Sequence, residues 1–186
     1  MNNTLSIFEY VANPMWHTDE YGSYIYFNQA WLKFTGHTAE QIKNVGWIHY
    51  VHPDDRNYCQ QTFAQAQHEK KEFTREYRLL HYTGEYHWIV DSGCPIFDKE
   101  KGFQGYIGTA YDITTEKLAQ QKILHLTRLY AILSQTNQAI EHIHSREDLF
   151  RRVCEIAIDY GGFQMAWIGL INREKQILEP VSHSGL

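Results

Sequence analysis

The chain has 186 residues, 43% of them apolar and 15% aromatic, with a formal net charge of -5 at pH 7. That composition is sufficient for a packed core and argues against wholesale disorder, and at ~100–200 residues per domain it allows one or two small domains. Acids and bases are interspersed rather than blocked, which argues against the clustered Lys and Arg of a nucleic-acid or anionic-membrane surface.

Leu5, Ile7, Phe8, Val11 and Ala12 predict a short amphipathic helix ended by Pro14. Met15–Glu20 and Ser23–Phe27 predict a hairpin turning at Tyr21-Gly22. Gln29–Thr35 predicts a helix that stops at Gly36, and Thr38 to Gln41 has the capping-box spacing of a second. After a turn around Trp47, His52-Pro53-Asp54-Asp55 sets Pro in the first turn and two carboxylates at the positive end of a helix ending near Glu69. Cys59, Phe63 and Ala66 share its apolar face. Three strands follow: Glu72–Leu80, of mixed alternation; Tyr86–Phe97, after a Thr83-Gly84 turn, with a bulge or edge irregularity expected at Gly93 and Pro95; and Phe103–Ile113. Two strands, several helices and three strands make an antiparallel α+β domain with helices on one face of the sheet.

From Thr115 the period changes to that of a helix. Leu126, Leu129, Leu133, Ile140 and Ile143 alternate spacings of three and four, with Thr136 in the gap, and predict a long helix with one apolar seam. Ser145 to Asp148 caps another helix, striped by Leu149, Phe150, Val153, Ile156, Ala157 and Tyr160 and ended by Gly161-Gly162. Phe163–Ile171 reads as a buried strand and Ile177–Val181 as the start of its hairpin partner. The predicted divisions are 1–115, 116–144 (a helix able to form a coiled coil) and 145–186.

Cys59, Cys94 and Cys154 are odd in number and widely spaced. They read as free thiols in a reducing compartment rather than a disulfide framework or zinc site. No basic region followed by an apolar one opens the chain, and no apolar run approaches the ~20 residues of a membrane span. The expectation is a cytoplasmic protein with no membrane-embedded part in this segment.

Tyr26-Phe27-Asn28-Gln29-Ala30, Gly36 to Gln41, His52 to Arg56, Glu76-Tyr77-Arg78-Leu79, Thr83 to Trp88, Gly105 to Gly108 and Asp112-Ile113-Thr114 occur in the order that resembles the PAS family, including its C-terminal PAC portion. The resemblance covers about residues 5–116. It implies a five-stranded antiparallel sheet around a small pocket, signalling through the helix after Thr114. Leu129 to Ile140 and Gly161 to Leu170 resemble the first part of a GAF domain, over residues 126–186, and the family needs more chain than these supply. Similar pairs precede bacterial histidine kinases and cyclic-di-GMP enzymes, whose catalytic motifs this sequence lacks.

Phe27, Trp47, Cys59, Phe63, Tyr86, Trp88 and Gly108 are the candidates for the pocket: aromatics to fill a core or stack on a planar ligand, and a glycine for close approach. Asp112 and Thr114 are the candidate relay; Thr114 or Thr115 is the expected helix N-cap. Cys59 on an apolar stripe reads as a small core residue; the flavin-reactive cysteines of light-sensing relatives follow Asn directly, whereas Tyr58 intervenes here. No His-x-x-x-His pair appears, and no metal site is expected. The leading expectation is a sensory and dimerisation module that relays ligand or partner binding to an output domain; no cofactor is required for it. A haem- or flavin-binding redox, gas or light sensor is the alternative. No nucleophile–base pair or phosphate loop points to an enzyme.

Overall fold

The structure is a computed structural model and describes residues 7–185. Leu5 of the predicted first helix lies outside them; Ile7 and Phe8 are helical, and Glu9 and Tyr10 form a turn. The chain divides between Lys117 and Leu118 into two compact units.

In the first unit β1 (Met15–Thr18) and β2 (Tyr24–Phe27) form a hairpin. Helices α1 (Gln29–Thr35) and α2 (Ala39–Val45), a 3-10 turn (Trp47–Tyr50) and α3 (Pro53–Glu69) follow, then β3 (Phe73–Leu80), β4 (Tyr86–Asp98) and β5 (Gly102–Asp112). The strands make one antiparallel sheet in the order β2-β1-β5-β4-β3.

Local chemistry sets the helix ends. Asn28 Oδ1 accepts from Trp31 N to start α1, and Gly36 at φ 73° ends it, a conformation glycine adopts without steric cost. Thr38 and Gln41 complete the predicted capping box at α2. His52 Nδ1 accepts from Asp54 N at the start of α3.

On β3 the alternation is strict rather than mixed: Phe73, Arg75, Tyr77 and Leu79 are buried. It becomes legible once Arg75 is counted as an inside residue. On β4 the buried set is Ile89, Asp91 and Gly93. Gly93 and Pro95 stay in register opposite Gly108 and Tyr106, and the irregularity falls between Ile96 and Phe97 instead. Gly93 is there for space: a Cβ would lie 2.5 Å from the Phe73 ring and 2.9 Å from Trp16. Pro95 lies beyond the last β3 partner, Phe73, so that side of β4 is an edge where a missing N–H is tolerated.

The core lies between the inner sheet face and the helices, built from Trp16, Trp31, Ile42, Tyr77, Tyr106 and their neighbours. Val51, Leu79 and Ile89, each 2% exposed or less, contribute about 1.5–3 kcal/mol apiece.

Helix α4 (Thr114–His142) begins in the first unit. In the second unit α5 (Arg146–Asp159) packs on a hairpin of β6 (Met165–Asn172) and β7 (Ile177–Gly185). Ser145 Oγ caps α5 by accepting from Asp148 N. Strand β6 is not the buried strand its composition suggests: Met165, Trp167 and Ile171 are exposed. The sheet is two strands wide, and α5 packs on it, which leaves these side chains uncovered. Among the described residues no helix is long and apolar enough to cross a membrane.

Candidate functional site

A cleft of about 500 Å³ opens in the first unit, lined chiefly by Tyr24, Phe27, Ile42, Trp47, Ile48 and Phe63. Three of the seven predicted pocket residues, Phe27, Trp47 and Phe63, therefore meet at one site. Tyr24 binds them together, stacked on Phe27 at 5.6 Å and tilted against Trp47 at 5.6 Å and Phe63 at 6.0 Å.

Behind these rings lies a fully buried ion pair. Arg75 Nε and Nη2 donate to Asp91 Oδ2 at 3.1 and 2.9 Å, and Nη1 donates to the Cys59 carbonyl at 2.7 Å. Trp16 Nε1 donates to the other Asp91 oxygen at 2.7 Å. The guanidinium lies 4.7 Å from the Trp47 ring and 4.9 Å from Phe73. Desolvation alone would lower the pKa of Arg75, but Asp91 above all overrides it and holds the guanidinium charged. Burial pushes the Tyr24 and Tyr77 phenols well above their ordinary value. The site is thus an aromatic wall over a self-neutralised charge pair, with Lys43 also in its lining and its Nζ donating to the Ile25 carbonyl at 2.8 Å, and every buried polar side-chain atom among the described residues is partnered.

The other four predicted pocket residues sit elsewhere. Cys59 is wholly buried on α3. A Cβ on Gly108 would collide with the Trp16 indole, so its missing side chain makes room for an aromatic ring, not a ligand. Tyr86 and Trp88 have the opposite parity to Ile89 and Asp91 on β4, which turns them to the outer face of the sheet. Tyr86 packs on His52, and Trp88 is flanked by the cations of Arg78 and Lys117 at 5.4 and 5.3 Å.

Trp88 belongs instead to the joint between sheet and helix. Its carbonyl accepts from Ile113 N and its N–H donates to Thr114 Oγ1, at 2.8 and 2.9 Å. Neither Thr114 nor Thr115 is thus the N-cap: both lie within the helix, the Thr114 hydroxyl is taken by β4, and Asp112 Oδ1 receives the Thr114 N–H at 2.9 Å. Asp112 Oδ2 meets His87 Nδ1 at 2.7 Å. Burial acts to raise the Asp112 pKa, but hydrogen bonds from Thr114 and His87 prevail and hold it below the ordinary carboxylate value. Lys117 Nζ reaches Glu76 Oε2 at 2.6 Å, so β3, β4 and β5 all grip the first turn of α4.

Residues 24–110 match the sequence profile of the family described as PAS fold. The PAS domain of a protein from Colwellia psychrerythraea is 26% identical, with a TM-score of 0.51, over 60% of this chain and 94% of that one. The first unit carries a PAS fold. Two curated proteins extend the similarity. Protein y4lL of Sinorhizobium fredii (strain NBRC 101917 / NGR234), itself uncharacterised, is 34% identical over 162 residues, 81% of this chain and 20% of its own. The peroxide stress-activated histidine kinase mak1 of Schizosaccharomyces pombe (strain 972 / ATCC 24843) is 28% identical over 108 residues, 53% of this chain and 7% of its own. The chain spans a small part of either relative.

The PAS cleft does not suit haem or flavin photochemistry. Its lining holds no His, Cys or Met to serve as an axial ligand, and its one phenol, on Tyr24, is kept protonated by burial. Cys59 is wholly buried and does not line the cleft, so it is not placed to react with a flavin held there. Among the described residues no cluster of His, Cys, Asp and Glu is placed to hold a metal ion.

Arg75, Asp91 and Tyr24 in the PAS domain, and His87 at its joint, were not singled out by sequence. The signal available was parity: Arg75 falls between Phe73 and Tyr77, and Asp91 between Ile89 and Gly93, on otherwise inward positions.

The seam on α4 is exposed at Leu126, Leu129, Leu133 and Ile140. Ile143, the last predicted seam residue, lies just past the helix end and is half-buried within the second unit, near the side of Ala139, the one buried α4 residue. A straight helix drifts by ~20° per heptad relative to a seven-residue repeat, which carries the seam's far end round toward that packed face.

Proposed function

We propose that this chain is a sensory and association module, without a reaction of its own, from a signal-transduction protein. The PAS domain senses a small molecule or a partner at the aromatic cleft, and α4 passes the response to an output region. The observation that carries this reading is the joint: the backbone of Trp88 bonds to both Ile113 and Thr114, so movement of β4 against β5 must be felt at the start of α4. The kinase relative supports signalling as the setting. The second unit's order of helix, helix, strand, strand supports reading it as the opening of a GAF-like domain.

The apolar residues exposed on α4 support pairing with a second copy along Leu126, Leu129 and Leu133. A ligand can shift such a relay only by the difference in its affinity for two arrangements. Light scattering tests the pairing. The unaltered protein is expected as a dimer and the Leu126→Asp, Leu133→Asp variant as a folded monomer. The same mass in both would overturn the seam.

A further inference from the structure

The turn side of the β3–β4 hairpin carries a second titratable cluster that the cleft does not use. His81 and His87 stack with ring centroids 4.1 Å apart and planes 23° from parallel. Phe34 of α1 sets its ring edge against both, at 4.8 and 5.8 Å. Tyr82 packs on His81 at 4.2 Å. His81 Nδ1 bonds Thr83 Oγ1 at 2.9 Å, and His87 Nδ1 bonds Asp112 Oδ2 at 2.7 Å. The cluster therefore joins the hairpin, α1 and the carboxylate that receives the first amide of α4.

The hydrogen-bond roles fix where protons go. Ionised Asp112 only accepts, so His87 Nδ1 keeps its hydrogen in either charge state and Nε2 is where a further proton binds. A proton there completes an ion pair with Asp112. A second proton on His81 has no carboxylate in contact among the described residues and faces the first charge across the stack. Glu85 of the turn and Asp112 attract it from farther away, but burial and the His87 charge outweigh them and keep the His81 pKa below the ordinary histidine value.

We propose that the stacked His81–His87 pair makes the joint between sheet and α4 pH-responsive: the folded stack does not accommodate a positive charge on both rings, and acidification opens it and loosens the Asp112 hold on α4. The sign follows from linkage. The unfolded chain takes a proton on His81 as pH falls through ~6.5, while the folded state resists it, so stability is lost from about that pH downward and the loss is complete below the depressed folded value. The physiological weight of this switch rests on the relay reading above, but the opening itself does not.

Amide hydrogen exchange tests it. Protection at Ile113, Thr114 and Lys117, corrected for intrinsic rates and taken relative to the core amides of Tyr77 and Ile89, is compared at about pH 7.5 and about pH 5, either side of the ordinary histidine value. The expected result is a loss of about fivefold or more at the joint. His81→Phe, which keeps a ring in the stack without a titratable proton, is expected to remove most of that loss; His81→Asn serves if the first variant does not fold. Equal relative protection at both pH values, or an undiminished loss in the folded variant, overturns the proposal. Neither outcome bears on dimerisation, which light scattering reads separately.

Discussion

The PAS domain and the unit after it both set helices against an antiparallel sheet, yet they bury different amounts of their apolar surface. In the PAS domain Trp16, Tyr77, Ile89 and Tyr106 are each 1% exposed or less. Among the described residues 118–185, Ala139, Cys154 and Ile156 are the buried hydrophobics, while Phe163, Met165, Trp167 and Ile171 are at least half exposed. Sheet width accounts for much of this. Five strands give a face broad enough for several helices to close over, and a two-stranded hairpin does not, which is why such a hairpin is marginal by itself. A long apolar run reports that a segment needs cover; it does not report how much cover its own unit provides.

The comparison is broken most forcefully at the buried charge. Asp91→Ala leaves Arg75 buried and unpaired and is expected to destabilise the PAS domain by about 3–5 kcal/mol in denaturant unfolding. Adding Arg75→Met should recover most of that loss, because the penalty belongs to the unpaired charge. No recovery would mean that the Trp16 and Cys59 hydrogen bonds, rather than charge pairing, hold this region. Next in size, Gly108→Ala pushes a methyl group into the Trp16 indole and should cost about 1–3 kcal/mol, read from the same unfolding curves. A neutral result would show that the indole can move and that the core is softer than its packing suggests. Smallest is Ile171→Ser on the open face of β6, expected to change stability by no more than about 0.5 kcal/mol. A loss as large as that of Gly108→Ala would reveal that the hairpin face is covered in solution by another chain.

Several helix ends of the PAS domain carried a local signature, and so did the seam on α4, whereas α3 ends on Lys70 at φ 53° with no such signal. Gly36, the Thr38–Gln41 box and Pro53 after His52 act through neighbours within a few residues. The candidate site was less legible. Phe27, Trp47 and Phe63 come together because three different elements deliver them, while Tyr86 and Trp88, chosen for the same chemistry, leave the cleft through strand parity alone. Thr114 shows a related limit. Its sequence position suggests a helix cap, but the unpaired N–H of Trp88, distant in sequence, claims its hydroxyl.

What the sequence by itself determined were the interactions that close over short range: the caps of α1, α2 and α3, the hairpin turns and the α+β order of elements. Only the tertiary structure decided that Arg75 and Asp91 form a buried pair, that Trp16 occupies the space over Gly108, and that His81 stacks on His87. These depend on register between strands and on the space left by other side chains. A free energy shared by residues far apart in the chain has no single stretch of sequence in which to be read.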